Sequence, residues 1–448
     1  MERVPTGIRY LDEVLGGGFP RGASILLAGN PGAGKTTFAA TYLYKGATEF
    51  GEAGLYVSFV EDKKSFLGYM KELGMDFEAL EKDGLFTFMG IPYVDISRSL
   101  ETIVFRILQL AREKKVKRVV IDSVSAIAQA LKSQERVRAF LHNTFIYGLR
   151  KAGDVTTILV ADLPYGASTI GLGVEEFVVD GVLVLKVERI KGLVLRYLEL
   201  WKMRGVEVGR SIIPFTISKG GFVPVLFSKC FKCHSGLTSL KPLTTTLRRI
   251  FTAVPTGATI LITGTPGSGK SVLASELSVN TAIQGHNVLY ISIEEREEAV
   301  RERMYYVAKK CFGKTTPEVV ENIHVISIDQ YQYEITDVCS SIMNYVAKLD
   351  PLLIVLDGGD ALEPLSDSSA FLSIIRSFVE AIRNFGRIAV VTKTKRHRNL
   401  DRPRGFDGLA DILIATSHDW RNPERRIVKV LKTRIGFVKE FHAVMGIG

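Results

Sequence analysis

Residues 29–36 read Gly-Asn-Pro-Gly-Ala-Gly-Lys-Thr and fit the phosphate-loop pattern G-x-x-x-x-G-K-[S/T], with Gly29, Gly34, Lys35 and Thr36 at the fixed positions. The pattern demands a particular setting. Its glycines turn backbone N–H groups in around phosphate oxygens, and the helix that follows points its positive end at them. The chain supplies that setting, with an apolar run at 24–28 and a helical pattern at 37–50. The loop then recurs as Gly-Thr-Pro-Gly-Ser-Gly-Lys-Ser at 264–271, between the apolar run 259–263 and another helical pattern. The candidate phosphate-binding residues are Gly29, Asn30, Pro31, Gly32, Ala33, Gly34, Lys35, Thr36 and Thr37 in the first loop. In the second they are Gly264, Thr265, Pro266, Gly267, Ser268, Gly269, Lys270, Ser271 and Val272. Lys35 and Lys270 would reach the β- and γ-phosphates, and the Thr36 and Ser271 hydroxyls would hold Mg²⁺, so ATP and Mg²⁺ are the expected ligands.

A chain of 448 residues exceeds one ordinary core, and two domains of about 200 residues are expected. We read 1–226 as the first domain, 227–246 as a linker and 247–448 as the second; the linker breaks the pattern with Cys, His, Ser, Pro and several Thr. No apolar run approaches the roughly 20 residues that span a membrane, and the first residues lack a basic-then-apolar leader, so a cytoplasmic protein is expected. Four cysteines in this length do not make a disulfide framework. Cys230, Cys233 and His234 form a CxxCH, which reads as half a zinc site without a second ligand pair nearby, a haem attachment that would require export, or a linker with incidental cysteines.

Residues 118–122, Arg-Val-Val-Ile-Asp, form an apolar strand delivering Asp122 at its end, and 352–357 deliver Asp357 in the same way. In phosphate-loop proteins such a carboxylate helps hold the Mg²⁺ shell. Lys35 and Lys270 stand 235 residues apart (270 − 35), as do Asp122 and Asp357 (357 − 122). A shared offset across nearly ninety residues argues for duplication, and for alternating β/α units on a mostly parallel sheet flanked by helices, an α/β fold in both halves. The stretch 162–178 reads as an irregular loop, followed by β-rich segments near 181–188, 196–202 and 212–217.

These landmarks together resemble the KaiC-like branch of the RecA-type ATPases in its double-domain form. The match rests on 7–18 with Leu11-Asp12, the two phosphate loops, Ile121-Asp122-Ser123, and the stretch from Val174-Glu175-Glu176-Phe177 to Lys202-Met203-Arg204-Gly205. In the second half it rests on Glu294-Glu295, Asp357 and Lys432-Thr433-Arg434. The resemblance implies two tandem RecA-like domains in a ring, usually a homo-hexamer, with ATP between neighbours. It makes Lys202, Arg204, Lys432 and Arg434 cations that act on the γ-phosphate of the adjacent subunit. A cation supplied across an interface would stabilise charge developing on the phosphoryl group.

The family also places a glutamate pair after the second strand, the first acting as general base. The second half keeps both, Glu294 and Glu295, whereas the first half has Val60 at the leading position and only Glu61. The second domain is therefore expected to be the active half. Strand alternation would turn Glu61 away from the position that Val60 occupies. Clock members of the family carry adjacent phosphorylated Ser and Thr where residues 406–411 here have no hydroxyl, which argues against a phosphorylation clock.

One charged run remains. Lys393, Lys395, Arg396, Arg398, Arg402 and Arg404 follow the apolar strand 387–391. Such a loop would touch single-stranded DNA in a RecA-type channel, although it lacks an aromatic stacking residue; a solvated loop or a protein contact is the alternative. The leading expectation is an ATPase that uses nucleotide state to regulate a partner. A nucleic-acid motor of the recombinase or helicase kind and a nucleotide-gated scaffold are the competing classes.

Overall fold

The six residues Ser24–Gly29 are all buried, because this strand lies inside a sheet covered on both faces. Ile25 and Leu27 join the core on one face and Leu26 and Ala28 the core on the other. The computed structural model in which this is seen describes residues 2–91, 96–131, 133–166, 169–170, 173, 175–190, 193–206, 212–225, 239–293, 295–314, 318–328, 335–361, 368–394, 408–419, 421–422, 425–434, 436 and 442–446. The chain divides into two compact units, Met1–Glu188 with Val194–Val225 and Arg189–Leu193 with Leu226–Gly448.

In the first unit the strands of the main sheet are β1 (Ser24–Gly29), β2 (Gly54–Ser58), β3 (Phe86–Gly90), β4 (Arg118–Asp122), β5 (Thr156–Asp162), β6 (Gly181–Ile190), β7 (Leu193–Met203), β8 (Ile212–Ser218) and β9 (Gly221–Pro224), and Arg3–Val4 pairs with Phe19–Pro20 apart from it. They line up as β9-β8-β7-β6-β1-β5-β4-β2-β3. From β6 to β3 all neighbours are parallel, while β8 pairs antiparallel with both β7 and β9. Helix α1 (Lys35–Phe50) covers one face, and Ile96–Glu113, Val124–Leu131 and Gln134–Leu141 contribute to the core on the other. Successive parallel strands lie on either side of β1, which makes the end of β1 the switch point where α/β sheets bind ligands. Glu175–Val178 forms a short helix inside the stretch expected to be irregular.

The second unit repeats this plan with β10 (Thr259–Gly264), β11 (Val288–Ser292), β12 (Ile323–Ser327), β13 (Leu353–Asp357), β14 (Ile388–Thr394), β15 (Ile412–His418), β16 (Arg425–Thr433) and β17 (His442–Gly446). The order is β12-β11-β13-β14-β10-β15-β16-β17, so all eight strands have a counterpart in the first sheet, which adds β9 at its edge. Both halves are thus α/β with mostly parallel sheets. No helix among the described residues is long and apolar enough to cross a membrane. Regular structure also occurs inside 227–246. Ser239–Leu240 pairs antiparallel with Val254–Pro255, and the Thr244 side chain caps the helix Thr245–Ile250.

The two lead-in segments are tied down by different carboxylates. In the first unit Asp12 accepts from the Thr6 amide and hydroxyl and the Gly7 amide. In the second, Glu276 on the helix after the second phosphate loop is 1% exposed and accepts from the Thr244 hydroxyl. Burial raises the pKa of Glu276 from 4.5 to about 7, and the Thr244 hydrogen bond opposes the rise. The folded chain therefore holds this proton more tightly than the unfolded chain. Its contribution to stability is full below the unfolded value and is lost as pH rises towards about 7. In calorimetry the transition of the second unit should fall in temperature across that window. Glu276→Gln should remove the fall and raise the transition at pH 8 by about 5 °C. A wild-type transition that is level with pH would contradict this.

Candidate nucleotide and metal sites

β1 ends at Gly29, where a Cβ would stand 2.5 Å from the Leu185 carbonyl oxygen, so only glycine fits between the neighbouring strands. Gly32 and Gly34 take φ of 73° and 94°, and α1 begins at Lys35 with Gly34 as its cap. Gly264 is as tightly confined, 2.3 Å from the Thr416 carbonyl oxygen, and Gly267 and Gly269 take φ of 72° and 91° before the helix Lys270–Ile283, here α3. (The helix Lys63–Glu72 is α2.) These left-handed residues turn the loop amides inward at a helix N-terminus, the arrangement that binds phosphate. Lys35 Nζ donates to the carbonyls of Gly29 and Asn30 at 3.0 and 3.2 Å and lies 3.1 Å from Asp162. Lys270 Nζ donates to Thr265 at 3.2 Å. Both amines therefore lie across the mouths of their loops.

The sheet brings a hydroxyl and a carboxylate 86 residues apart into contact in each half. Thr36 donates to Asp122 at 3.0 Å and Ser271 to Asp357 at 3.0 Å. A buried tyrosine from the second strand supports each acid, Tyr56 at 2.5 Å and Tyr290 at 2.6 Å. Thr392 also donates to Asp357. Burial pushes the pKa of Asp122 up, and the Tyr56 and Thr36 hydrogen bonds and Lys35 pull it back. Hydroxyl and carboxylate oxygens beside a phosphate loop are hard donors, and the set fits Mg²⁺ held jointly with phosphate.

The carboxylates after the second strands behave differently from the expectation of alternation. β2 ends at Ser58, and the Ser58 hydroxyl accepts from the amides of Val60 and Glu61, so the chain curls rather than continuing as a strand. Val60 is 78% exposed. Burial first, and then the negative charges of Asp122 and Asp62, raise the pKa of Glu61. Ser292 accepts from the Glu295 amide in the corresponding turn, and Glu295 pairs with Arg303. Glu294 lies outside the described residues, as do Cys230, Cys233 and His234.

The four cations credited with reaching a neighbour sit at the opposite edge from their own loops. Lys202 Nζ donates to the Glu176 and Val179 carbonyls at 3.1 and 2.9 Å, and Arg204 pairs with Asp180 at 3.2 Å. Burial, then Arg204, lowers the Lys202 pKa. Asp180 in turn accepts from the amide of Ser24, the first residue of β1. The second unit matches: Lys432 donates to Ala410, Arg434 to Gly408, and Asp411 accepts from the Thr259 amide at the start of β10. Six extended residues separate each start from its phosphate loop, about 20 Å, so these cations cannot serve the loop of their own unit.

Residues at the loop tips escaped sequence reasoning. Arg196 donates to the Gly32 carbonyl at 2.8 Å and Arg426 to Gly267 at 3.1 Å. The signal was present, since 196 and 426 are as far apart as 202 and 432 (230 residues, 426 − 196 and 432 − 202). One expectation needs correction. Lys393 is paired in register with Thr263 inside β14 and is 2% exposed, so it is no surface contact for nucleic acid. Lys395, Arg396, Arg398, Arg402 and Arg404 lie outside the described residues.

Two complete loops call for two nucleotides. Titration calorimetry should give two Mg-ATP per chain, with Lys35→Ala and Lys270→Ala each removing one. A stoichiometry of one in homogeneous wild-type protein would exclude paired sites.

A family model described as KaiC ATPase matches the chain twice, over residues 4–228 and 244–447. The chain is 27% identical to the circadian clock oscillator protein KaiC of Thermostichus vulcanus over 403 residues, 88% of this chain and 76% of that protein. It is 28% identical to the circadian clock protein KaiC2 of a Synechocystis strain over 317 residues, 66% of this chain. The match spans about half, 54%, of that relative's length. The UPF0273 protein MJ1359 of Methanocaldococcus jannaschii is 32% identical over 236 residues, 50% of this chain and 96% of its own length.

Proposed function

Since the chain belongs to the KaiC family of ATPases, we propose that it is an ATP-hydrolysing protein that assembles into a homo-hexameric ring and uses nucleotide state to regulate a partner. The working domains are 1–226 and 247–448, joined through 227–246. The observation that carries this reading is the position of the cation pairs, at the start of β1 and β10 and away from their own loops. An active site then needs two chains, one offering Lys35 or Lys270 and the other Lys202 and Arg204 or Lys432 and Arg434.

In each site the loop amides and lysine hold the phosphates. Thr36 with Asp122, and Ser271 with Asp357, hold the metal. Mg²⁺, when bound there, would neutralise phosphate charge during transfer. Glu294 takes the proton of the attacking water in the second domain, and the neighbour's Arg434 stabilises charge on the transferred group. Because Val60 cannot accept a proton, the second domain performs most turnover. A second reading, favoured by the half-buried Glu61 carboxyl near Asp122, gives the first domain its own base.

Hydrolysis per chain should rise with protein concentration until rings are complete, and Arg434→Ala should lower kcat at least ~10-fold with little change in ATP affinity. Concentration-independent turnover in a verified monomer would end the shared-site reading. Glu294→Gln should cost the second domain ~10²–10⁴-fold in rate, and Glu61→Gln little. The opposite ranking would assign the chemistry to the first domain. Single-stranded DNA is the alternative load. Lys395, Arg396 and Arg398 replaced together by Ala should flatten the salt dependence of any such binding.

A further inference from the structure

The two sites share a loop hydroxyl and a strand tyrosine on the acid, and they differ most in one cation. In the second unit Arg303, on the helix Glu297–Phe312 (here α4), turns into the site and is mostly buried, with 15% of its side chain exposed. Its Nη1 pairs with Glu295, and its Nη2 lies 3.2 Å from the Tyr290 hydroxyl and 3.3 Å from Asp357 Oδ2. Its Nε donates to Ser275 at 3.0 Å, and Ser275 donates to the Ser271 carbonyl at 2.7 Å. One guanidinium therefore touches both carboxylates of the site and the helix turn that carries the metal-binding hydroxyl. Tyr56 and Tyr290 are 234 residues apart, as are Glu61 and Glu295, and the same offset pairs Arg303 with Tyr69 (303 − 234). Tyr69 is 59% exposed on α2, and Asp122 is met by the Thr36 and Tyr56 hydroxyls instead of a cation.

A guanidinium stays charged at every physiological pH. Ser271 contacts Asp357 Oδ1 while Arg303 faces Oδ2, so a divalent ion and the guanidinium share one carboxylate from opposite sides. Two cations a few ångströms apart in a partly buried site repel strongly. We propose that Arg303 is a positioning residue and built-in counter-cation of the second site: it fixes Glu295 beside the general base and weakens divalent-cation binding, so that the two sites of one chain load metal at different concentrations. This rests on the reading of Asp122 and Asp357 as metal acids given above. A site that fills last answers to the free Mg²⁺ level, while its partner stays loaded.

The test uses the full chain with a non-hydrolysable ATP analogue and Mn²⁺ as the probe, its free signal followed by electron paramagnetic resonance. Wild type should show two classes of bound Mn²⁺ per chain, one about tenfold weaker. Arg303→Gln should tighten the weak class to meet the strong one, and Arg303→Lys, which keeps the charge, should preserve the split. The reciprocal change Tyr69→Arg, on an exposed position, should weaken the strong class and keeps the test open should Arg303→Gln fail to fold. Asp357→Asn should abolish the weak class. If Asp357→Asn leaves both classes intact, the metal-site reading itself fails. If it abolishes one class but wild type binds Mn²⁺ equally at both sites, or Arg303→Gln and Tyr69→Arg change nothing, the role of Arg303 is overturned alone.

Discussion

Burial of the central strand on both faces is the constraint from which the rest of each unit follows. β1 and β10 cannot present a polar face anywhere along their length, so they lie between parallel neighbours with helices above and below. Everything polar that they carry is forced to their ends. At one end each strand opens into the phosphate loop. At the other its first amide bonds an acid, Asp180 or Asp411, that also anchors a cation: Arg204 to Asp180, and Arg383 to Asp411. The strand is thus a spacer of set length between a phosphate cradle and a cation pair. Such a spacer leaves the two ends about 20 Å apart, and on this separation rests the proposal of a site divided between chains.

Duplication supplied two copies of this device, and the differences lie beside the chemistry rather than in the frame. The loops, the acid with its hydroxyl and tyrosine, and a lysine near the start of the central strand recur in both units. The turn after the second strand differs: its sequence has Val60 and Glu61 in one unit and Glu294 and Glu295 in the other, and among the described residues only Glu295 of these pairs with an arginine. These changes alter charge beside the phosphate loop while the strand order is the same in both units. Matched binding with unmatched charge is what a protein needs if one site is to hold nucleotide while the other turns it over.

Much of this was legible in the sequence. The phosphate loops could be read because their glycines answer to local backbone geometry: Gly34 and Gly269 must adopt positive φ whatever surrounds them. Asp122 and Asp357 could be read because an apolar run ending in an acid describes a buried strand and its exit. Alternation does not govern Glu61, since the strand stops at Ser58 and the Ser58 hydroxyl curls the chain. Lys393 looked like part of a basic surface run, yet its strand continues through it and buries it.

By itself, then, the sequence determined the α/β repeat, the two phosphate cradles and the acids that face them, since each depends on residues close together in the chain or on a repeated pattern of burial. Tertiary structure alone decided which charges meet. That Arg303 reaches Asp357 across 54 residues, that Arg196 reaches Gly32 across 164, and that Lys202 faces away from its own loop depend on how strands order in the sheet and where helices cross it. Long charged side chains carry no periodic signature of their targets, because electrostatic contact is set by distance in space, and distance along the chain does not encode it.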